Sequence, residues 1–220
     1  MNKRLGKLIG SFGLCLCGLG LSGTTLASVI FSNFSAGLSY DTSNGNPVGN
    51  GFDGNFYSQG SSFVAGSNAV LGSMEIALNK MSDNQQVGGI TVNLTAAAPD
   101  GALLESWSLD LNSLGLFGNS NAPLLLGSLL NPTLVSGDEY WVTVSLGGDS
   151  AAAWNWSSSG DTNPTAINAG DGGGWFTPSG QTPGAFQLDA KGDTTQVPEP
   201  ATLALVGLAL AGLSYSRRKQ

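Results

Sequence analysis

The sequence contains no histidine at any of its 220 positions. This absence excludes the Ser-His-Asp and Cys-His arrangements of nucleophilic enzymes, and it excludes zinc sites built on imidazole ligands. Cysteine is nearly as scarce, since Cys15 and Cys17 are the only two and both lie in the first apolar stretch. The rest of the chain therefore has neither a disulfide framework nor a thiolate metal site.

Charged residues make up only 10% of the chain, and the few cations are unevenly placed. Six of the eight lie near the two ends, and only Lys80 and Lys191 lie between them, together with 14 of the 15 acidic residues. Such an acidic body lacks the cations that would replace the counterions of a phosphate backbone, so we expect no binding to nucleic acid. The negative charge also favours solubility and repulsion from anionic surfaces.

The first 27 residues have the three parts of a secretory signal peptide. The basic part comprises Lys3, Arg4 and Lys7. Residues 8–21 form a short apolar run, and the small residues Thr25 and Ala27 predict cleavage by signal peptidase before Ser28, after export through the Sec translocon. A lipoprotein signal is disfavoured because leucine precedes each cysteine. A second membrane helix is disfavoured because the apolar run is short and a cleavage site follows it.

Residues 194–220 form a C-terminal segment with three parts in a fixed order. The first part is a Pro-Glu-Pro motif made of Val197, Pro198, Glu199 and Pro200. Its two prolines fix the backbone angle φ and keep the motif extended and accessible. The second part is the uncharged run 201–213, which predicts a transmembrane helix. The third part is a basic end that the positive-inside rule places in the cytoplasm, namely Arg217, Arg218 and Lys219.

The order of these three parts resembles the PEP-CTERM sorting signal of Gram-negative bacteria that make exopolysaccharide. In that family the tail is recognised and cut by exosortase, a membrane cysteine protease. The apolar run is shorter than the ~20 residues of a permanent span, which favours a temporary tether over an ordinary C-terminal anchor. The resemblance implies export, transient anchorage in the inner membrane, and a final location at the cell surface or outside the cell.

The body, residues 28–193, predicts an all-β domain, an antiparallel β-sandwich with jelly-roll-like connections. Short segments rich in β-branched and aromatic residues alternate with turns of Gly, Pro, Asn and Asp, and no segment repeats apolar residues at helical spacing. We expect two long loops, at 41–54 and 160–174, and residues 151–156 as the antiparallel neighbour of 140–146. The predicted strands are 28–34, 56–64 with a break at Gly60, 71–79, 90–94, 103–111, 124–126, 140–146, 151–156, 175–176 and 185–188.

The body also resembles a group of bacterial extracellular domains called choice-of-anchor R. The segments that carry this resemblance are 98–106, Asn131-Pro132, Gly137, Tyr140-Trp141-Val142 and 152–156. Members of the group carry different C-terminal anchors, PEP-CTERM among them. The resemblance implies a β-rich surface module and no particular reaction.

Carboxylate pairs are the remaining route to catalysis, since glycoside hydrolysis needs two of them. The candidates are Glu75, Glu105, Asp138 and Glu139. Glu75 and Glu105 fall in strand patterns, where we interpret them as solvated surface acids. Asp138 and Glu139 fall at the start of a strand, where a turn acid is common. These positions favour a protein that is not an enzyme.

Calcium is a more plausible ligand than a glycosidase substrate, because two loops are rich in hard oxygen ligands. One loop offers Asp41, Asn44 and Asn46. The other offers Asp161 and Asp171, with Asn163 and Asn168 between them. Neither spacing fits an EF-hand, and the same residues are common in turns for conformational reasons. We therefore expect no obligatory cofactor, with calcium as the alternative.

Three tryptophans suggest glycan binding by stacking of sugar rings, namely Trp154, Trp156 and Trp175. Trp154 and Trp156 are two positions apart and so share one face of a strand, which makes both core residues if that face is the interior. In the pair Tyr140 and Trp141, alternation predicts that one side chain lies outside. Three Asn-x-Ser/Thr sequons, at Asn33, Asn93 and Asn155, are interpreted as incidental.

Together these patterns predict a secreted or surface-associated, non-enzymatic protein that exosortase sorts into an exopolysaccharide or biofilm matrix. A carbohydrate- or calcium-binding module is the first alternative, and a glycan-active enzyme is the second.

Overall fold

The structure is a computed structural model that describes residues 28–50, 55–82 and 88–192. The all-β prediction with antiparallel sheets is confirmed, since one short 3-10 helix, Leu111–Ser113, is the only helical element in these ranges. The strands are β1 (Val29–Ser32), β2 (Gly45–Asn50), β3 (Phe56–Val64), β4 (Ala69–Ile76), β5 (Leu78–Lys80), β6 (Gly89–Ala96), β7 (Ala102–Asp110), β8 (Leu124–Gly127), β9 (Thr133–Leu134), β10 (Glu139–Leu146), β11 (Ala151–Asn155), β12 (Thr165–Asn168), β13 (Trp175–Phe176) and β14 (Phe186–Ala190).

The strands form two antiparallel sheets. The smaller sheet has the order β1-β14-β4-β8, with β9 paired to the start of β4. The larger sheet has the order β5-β11-β2-β3-β10-β6-β7, and β12 and β13 extend it from the side of β3. Buried side chains from both sheets form a shared core, which gives the sandwich architecture. Jelly-roll connectivity stays a prediction.

The core follows from period-two alternation along the central strands. In β10, Tyr140, Val142 and Val144 all face the core. Phe63 of β3 stacks on Tyr140 with ring centroids 5.6 Å apart and meets Phe186 of the other sheet edge-on at 5.7 Å. Each aromatic side chain buried in this way contributes about 2 kcal/mol from lost apolar surface. The aromatic contacts therefore hold the two sheets together.

Residues 71–79 do not form the single strand that alternation predicted. β4 ends at Ile76 in the smaller sheet, and β5 begins at Leu78 in the larger sheet, so the chain crosses between sheets at Ala77. The register also shifts opposite Gly72, where β14 pairs irregularly. This β-bulge inverts the alternation, so that Leu71 and Met74 are both buried.

Three other expectations about the strands were wrong. Each predicted long loop contains a strand, β2 in the first and β12 in the second. β11 pairs with β2 and β5 rather than with β10, because β3 and β6 occupy both sides of β10. β3 is unbroken at Gly60, where a Cβ atom would lie 3.3 Å from the Ala166 side chain and 3.4 Å from the Trp141 ring.

The two ends of the sandwich are named here by what they contain. The exit end is where the described chain begins and ends, at residues 28 and 192, and the amide end is where buried asparagine side chains lie. At the exit end, Ser28 accepts a hydrogen bond from Ala190 through its carbonyl oxygen (2.8 Å), and the Lys191 amide donates to Val70 (2.7 Å). Glu139, the first residue of β10, pairs with Val64 there. At the amide end, three buried asparagines lie beyond the last residue of β4, namely Asn33, Asn79 and Asn155. Val70 and Ile76 are six residues apart on β4, so the two ends are separated by ~20 Å along this strand.

None of the described residues belongs to a helix with the length and apolarity that a membrane crossing requires.

Candidate functional site

The predicted sorting and cleavage residues fall mostly outside the described ranges. Val197, Pro198, Glu199 and Pro200 lie beyond them, as do Arg217, Arg218 and Lys219. Ala27 lies outside as well, and Ser28 is the first described residue. The structure therefore positions the two points where these segments join the folded body, which both lie at the exit end.

Glu105 is not the solvated surface acid that its charge suggested, because only 1% of it is exposed. Alternation along β7 turns it inward with Trp107, which donates its indole N–H to the Gly127 carbonyl (2.8 Å). The Glu105 carboxylate accepts hydrogen bonds from the Ser128 hydroxyl and from the amides of Leu129 and Leu130. All three donors belong to one turn, so the Glu105 carboxylate stabilises that turn.

Glu75 lies on the outer face of the smaller sheet, where it is half-buried. Gln187 donates one amide group to Glu75 Oε2 (3.1 Å) and to both carboxylate oxygens of Asp189 (3.1 and 3.2 Å). Burial, together with the nearby Asp189 charge, raises the pKa of Glu75. Sequence reasoning missed Asp189 as the partner, because the register of β4 against β14 brings the two together.

The other two acids proposed for glycan chemistry, Asp138 and Glu139, are exposed at the exit end. Glu105 is separated from them by its inward orientation, and Glu75 lies on the opposite face of its own sheet. The structure therefore does not bring the four candidate acids into one site.

The first candidate calcium loop uses its carboxylate to cap a turn. Asp41 Oδ1 accepts from the amides of Ser43 (2.8 Å) and Asn44 (3.0 Å), and Asp41 Oδ2 accepts from the Asn44 side chain (2.9 Å). The Asn44 side-chain hydrogen bond, supported by the two amides, lowers the pKa of Asp41. Asn46 lies apart from this turn, in β2, where it bonds to Trp156 and to the Thr182 carbonyl.

The second candidate loop is divided by β12, with Asp161 before the strand and Asp171 after it. Asp161 accepts from the Asn163 amide (3.0 Å) and from the Asn33 side chain (3.1 Å). Asp171 accepts from the Gly173 amide (2.9 Å), and Asn168 caps Gly170 in the same manner. Among the described residues, no three metal-binding acids or thiols are grouped where they could hold one ion.

Trp154 is a core residue, fully buried with 0% exposure. Its indole N–H donates to the Ala185 carbonyl (3.1 Å), and its ring lies against Gly184, where a Cβ atom would approach to 2.2 Å. No face of this ring is open to a glycan. Trp156 is half-buried at the same edge, and its indole N–H donates to Asn46 Oδ1 (2.8 Å).

Trp175 is half-buried in β13 beside the exposed Phe176. Of the three tryptophans, Trp175 and Trp156 therefore keep some accessible surface. The expectation that either Tyr140 or Trp141 lies outside was wrong, since both are buried. Trp141 packs on the far side of the larger sheet against Gly60, which lacks a side chain to displace it.

The amide end contains a buried hydrogen-bond network that sequence reasoning did not identify. Asn79 donates to the side-chain oxygen of Asn155 (2.6 Å) and accepts from Asn121 (2.6 Å). Asn155 in turn donates to the Asp41 carbonyl (2.9 Å). Asn33 bridges the Asp161 carboxylate, the Gly184 carbonyl and the Phe186 amide. Because the side chains of Asn33 and Asn155 are buried and hydrogen-bonded, these two sequons are not accessible for glycosylation.

A polar groove of about 350 Å³ lies beside Asp161. Two segments form its walls, residues 161–165 and 177–182. Most of its lining residues carry a hydroxyl or amide side chain, and Asp161 supplies a carboxylate. The buried Thr165 hydroxyl has no hydrogen-bond partner among the described residues. A second depression of about 460 Å³ lies beside Tyr40 and Asn121.

Comparison with known protein families finds a match in the tail. Residues 196–219 match the PEP-CTERM protein-sorting motif. This match includes the Pro-Glu-Pro motif, the apolar run and the basic end, and it confirms the resemblance of the tail. No curated protein matches the chain.

Proposed function

We propose that this chain is an exported β-sandwich that exosortase releases from a temporary tether in the inner membrane. The observation that carries the proposal is the match of residues 196–219 to the PEP-CTERM sorting motif, which indicates export and membrane-linked processing. The body then acts at the cell surface or in the exopolysaccharide matrix. The chain requires the Sec translocon and signal peptidase for delivery, and exosortase for release.

The body contributes structure rather than a reaction in this proposal. Its candidate acids are used to hold turns or lie exposed and apart, as Glu105, Asp41 and Asp138 illustrate. Its acidic surface keeps it soluble and away from anionic surfaces after release. Turnover of the producing cell's polysaccharide by the purified protein, abolished by replacing a single acid, would contradict this part of the proposal.

Replacement of the sorting motif tests the proposal directly. We expect the double variant Pro198→Ala, Glu199→Ala to accumulate in the membrane fraction at full length, because its apolar run and basic end remain intact. The matched control is Thr194→Ala, Thr195→Ala, which changes the adjacent polar linker and leaves the motif untouched. Release of the motif variant at the same rate as the control would refute sorting by this motif.

A carbohydrate-binding role is the second candidate, favoured by the polar groove beside Asp161. Exposed Thr162 and Thr177 lie on its opposite walls. We expect Thr162→Val, Thr177→Val to reduce retention on the producing cell's polysaccharide, because valine keeps the shape and removes the hydroxyl groups. The control is Ser106→Ala, Ser108→Ala, which removes two exposed hydroxyls from β7. Retention that depends on added calcium would assign the Asp161 loop to a metal instead.

A further inference from the structure

The exit end exposes several large apolar side chains next to acidic ones. Six large apolar side chains are exposed there, namely Val29, Val64, Val70, Leu129, Leu130 and Val135. Three of them lie in strands that start or end here, where Val29 pairs with Asp189, Val70 with Thr133, and Val64 with Glu139. Exposed apolar side chains gathered at one end of a protein are the kind of surface that meets another apolar phase.

Leu129 and Leu130 stand at the tip of a turn that interrupts the smaller sheet. The Ser128 amide donates to Gly72 (2.9 Å), and the Leu71 amide donates to Pro132 (2.9 Å). These two bonds use adjacent residues of β4, so the three residues from 129 to 131 are looped out of the sheet. The two leucines are 82% and 71% exposed.

The fold holds this turn in place with a buried carboxylate. Glu105 crosses from the larger sheet to accept from the amides of Leu129 and Leu130 and from the Ser128 hydroxyl. Asn131 has a positive φ of 49° and closes the turn by donating from its amide to Ser128 Oγ (3.0 Å). Burial of a carboxylate carries a desolvation cost, which the three hydrogen bonds to this turn offset. The same three bonds fix the position of the two leucines.

Both predicted membrane segments join the body at this same end. Ser28 follows the predicted signal peptide directly, and its carbonyl bonds to Ala190. The chain leaves the body at Gly192, next to Lys191, which bonds to Val70 on the side of β4 opposite the leucine turn. Nine residues separate Lys191 from the start of the apolar run at Ala201, which limits the reach of this linker to ~30 Å.

We propose that the exit end rests on the lipid bilayer while the tail is still inserted, with Leu129 and Leu130 entering the lipid interface. The occupant is the leaflet of the inner membrane that faces the body, in the tethered precursor. This inference rests on the proposed tether. The short linker supplies a high effective concentration of lipid, so a small apolar contact suffices and is lost when the tail is cut.

Charges at the exit end set the kind of lipid that fits. Asp138 and Glu139 are exposed there, and Lys191 is the only cation of the described residues at this end. These acids repel anionic headgroups, so the contact favours zwitterionic lipid. The polar groove beside Asp161 lies away from these acids, since its lining residue Thr165 pairs with Ser61, which is three residues along β3 from Val64 and therefore ~10 Å from it.

Depth-dependent quenching tests this orientation in the full chain. The background is Cys15→Ser, Cys17→Ser, which leaves the chain without cysteine. A single Leu130→Cys carries a polarity-sensitive fluorophore, and the matched control is Phe176→Cys, which is also exposed (52%) and apolar. Phe176 pairs with Ile167 at the level of Gln59, five residues along β3 from Val64 and therefore ~17 Å from the exit end. Both proteins are reconstituted into phosphatidylcholine vesicles with and without a lipid-borne quencher.

We expect both proteins to float with the vesicles, and we expect blue-shifted, strongly quenched emission from the label at 130 but not from the label at 176. Flotation with equal quenching at the two positions, or with none at either, would overturn the orientation and leave the tether standing. Failure of the full chain to float would remove the tether and this inference with it. Replacement of a quarter of the lipid by an anionic lipid should weaken the quenching at 130 without reducing flotation.

Discussion

The exit end and the amide end of the sandwich both contain buried polar side chains, but the hydrogen bonds of these side chains have different effects at the two ends. Each buries polar side chains, and each satisfies them with hydrogen bonds. At the amide end, Asn33, Asn79 and Asn155 bond to loops that close over them, so the polar groups lock that end shut. At the exit end, Glu105 bonds to a turn that projects two leucines outward. A buried polar group can thus serve either to seal a surface or to present one.

The largest predicted effect lies at the amide end. Asn155→Ala should lower the free energy of unfolding by about 4 kcal/mol, because it leaves the buried Asn79 side-chain amide and the half-buried Asp41 carbonyl without these hydrogen bonds. Urea denaturation measures the loss. The control is Asn93→Ala, a half-exposed sequon asparagine in β6, which should change stability by less than about 0.5 kcal/mol. Equal losses in the two variants would show that the network does not lock this end.

The second-largest predicted loss of stability is at the exit end, and its effect on hydrogen exchange should be confined to one turn. Glu105→Ala should cost about 3 kcal/mol through its three lost hydrogen bonds, and amide hydrogen exchange should accelerate most at Leu129 and Leu130. Glu139→Ala removes an exposed acid from the same end and should change neither quantity appreciably. If exchange at the two leucines is unchanged in Glu105→Ala, the carboxylate does not hold the turn.

The smallest effect concerns Glu75, which lies outside both ends on the face of the smaller sheet. Burial and the Asp189 charge raise its pKa in the folded state, so ionised Glu75 reduces stability, and the reduction appears as the pH rises through that pKa. Glu75→Gln should therefore raise the melting temperature slightly at pH 7 and leave it unchanged near pH 3. In an Asp189→Asn background, the gain from Glu75→Gln at pH 7 should shrink. A gain that persists at pH 3 would assign the effect to packing.

Sequence patterns predicted the core strands well where one face is apolar. The alternation of Tyr140, Val142 and Val144 gave β10 with its inward face, and 103–111 gave β7 within one residue at each end. The order of strands was not predictable, because period-two patterns report a face and not a neighbour. The crossing of the chain from one sheet to the other at Ala77 was not predictable either, because alternation does not show to which sheet a residue belongs.

The buried polar groups show a different limit. The pattern of β7 places Glu105 on the same face as Trp107, yet its charge argued for solvent. Its donors lie more than twenty residues away in the chain, so nothing local revealed them. The asparagines of the amide end were equally hidden, since Asn is common in exposed turns as well. The sorting motif lies at the other extreme, because its three parts are contiguous in the sequence and can be identified without any distant partner.

The central claim is that the body is delivered by its tail and then released, and the intact mass of the protein recovered outside the producing cells tests it most directly. We predict a mass that corresponds to a chain beginning at Ser28 and ending near the Pro-Glu-Pro motif, within residues 196–200. Recovery of the protein only in the membrane fraction, with Gln220 still present as its C-terminal residue, would contradict the account.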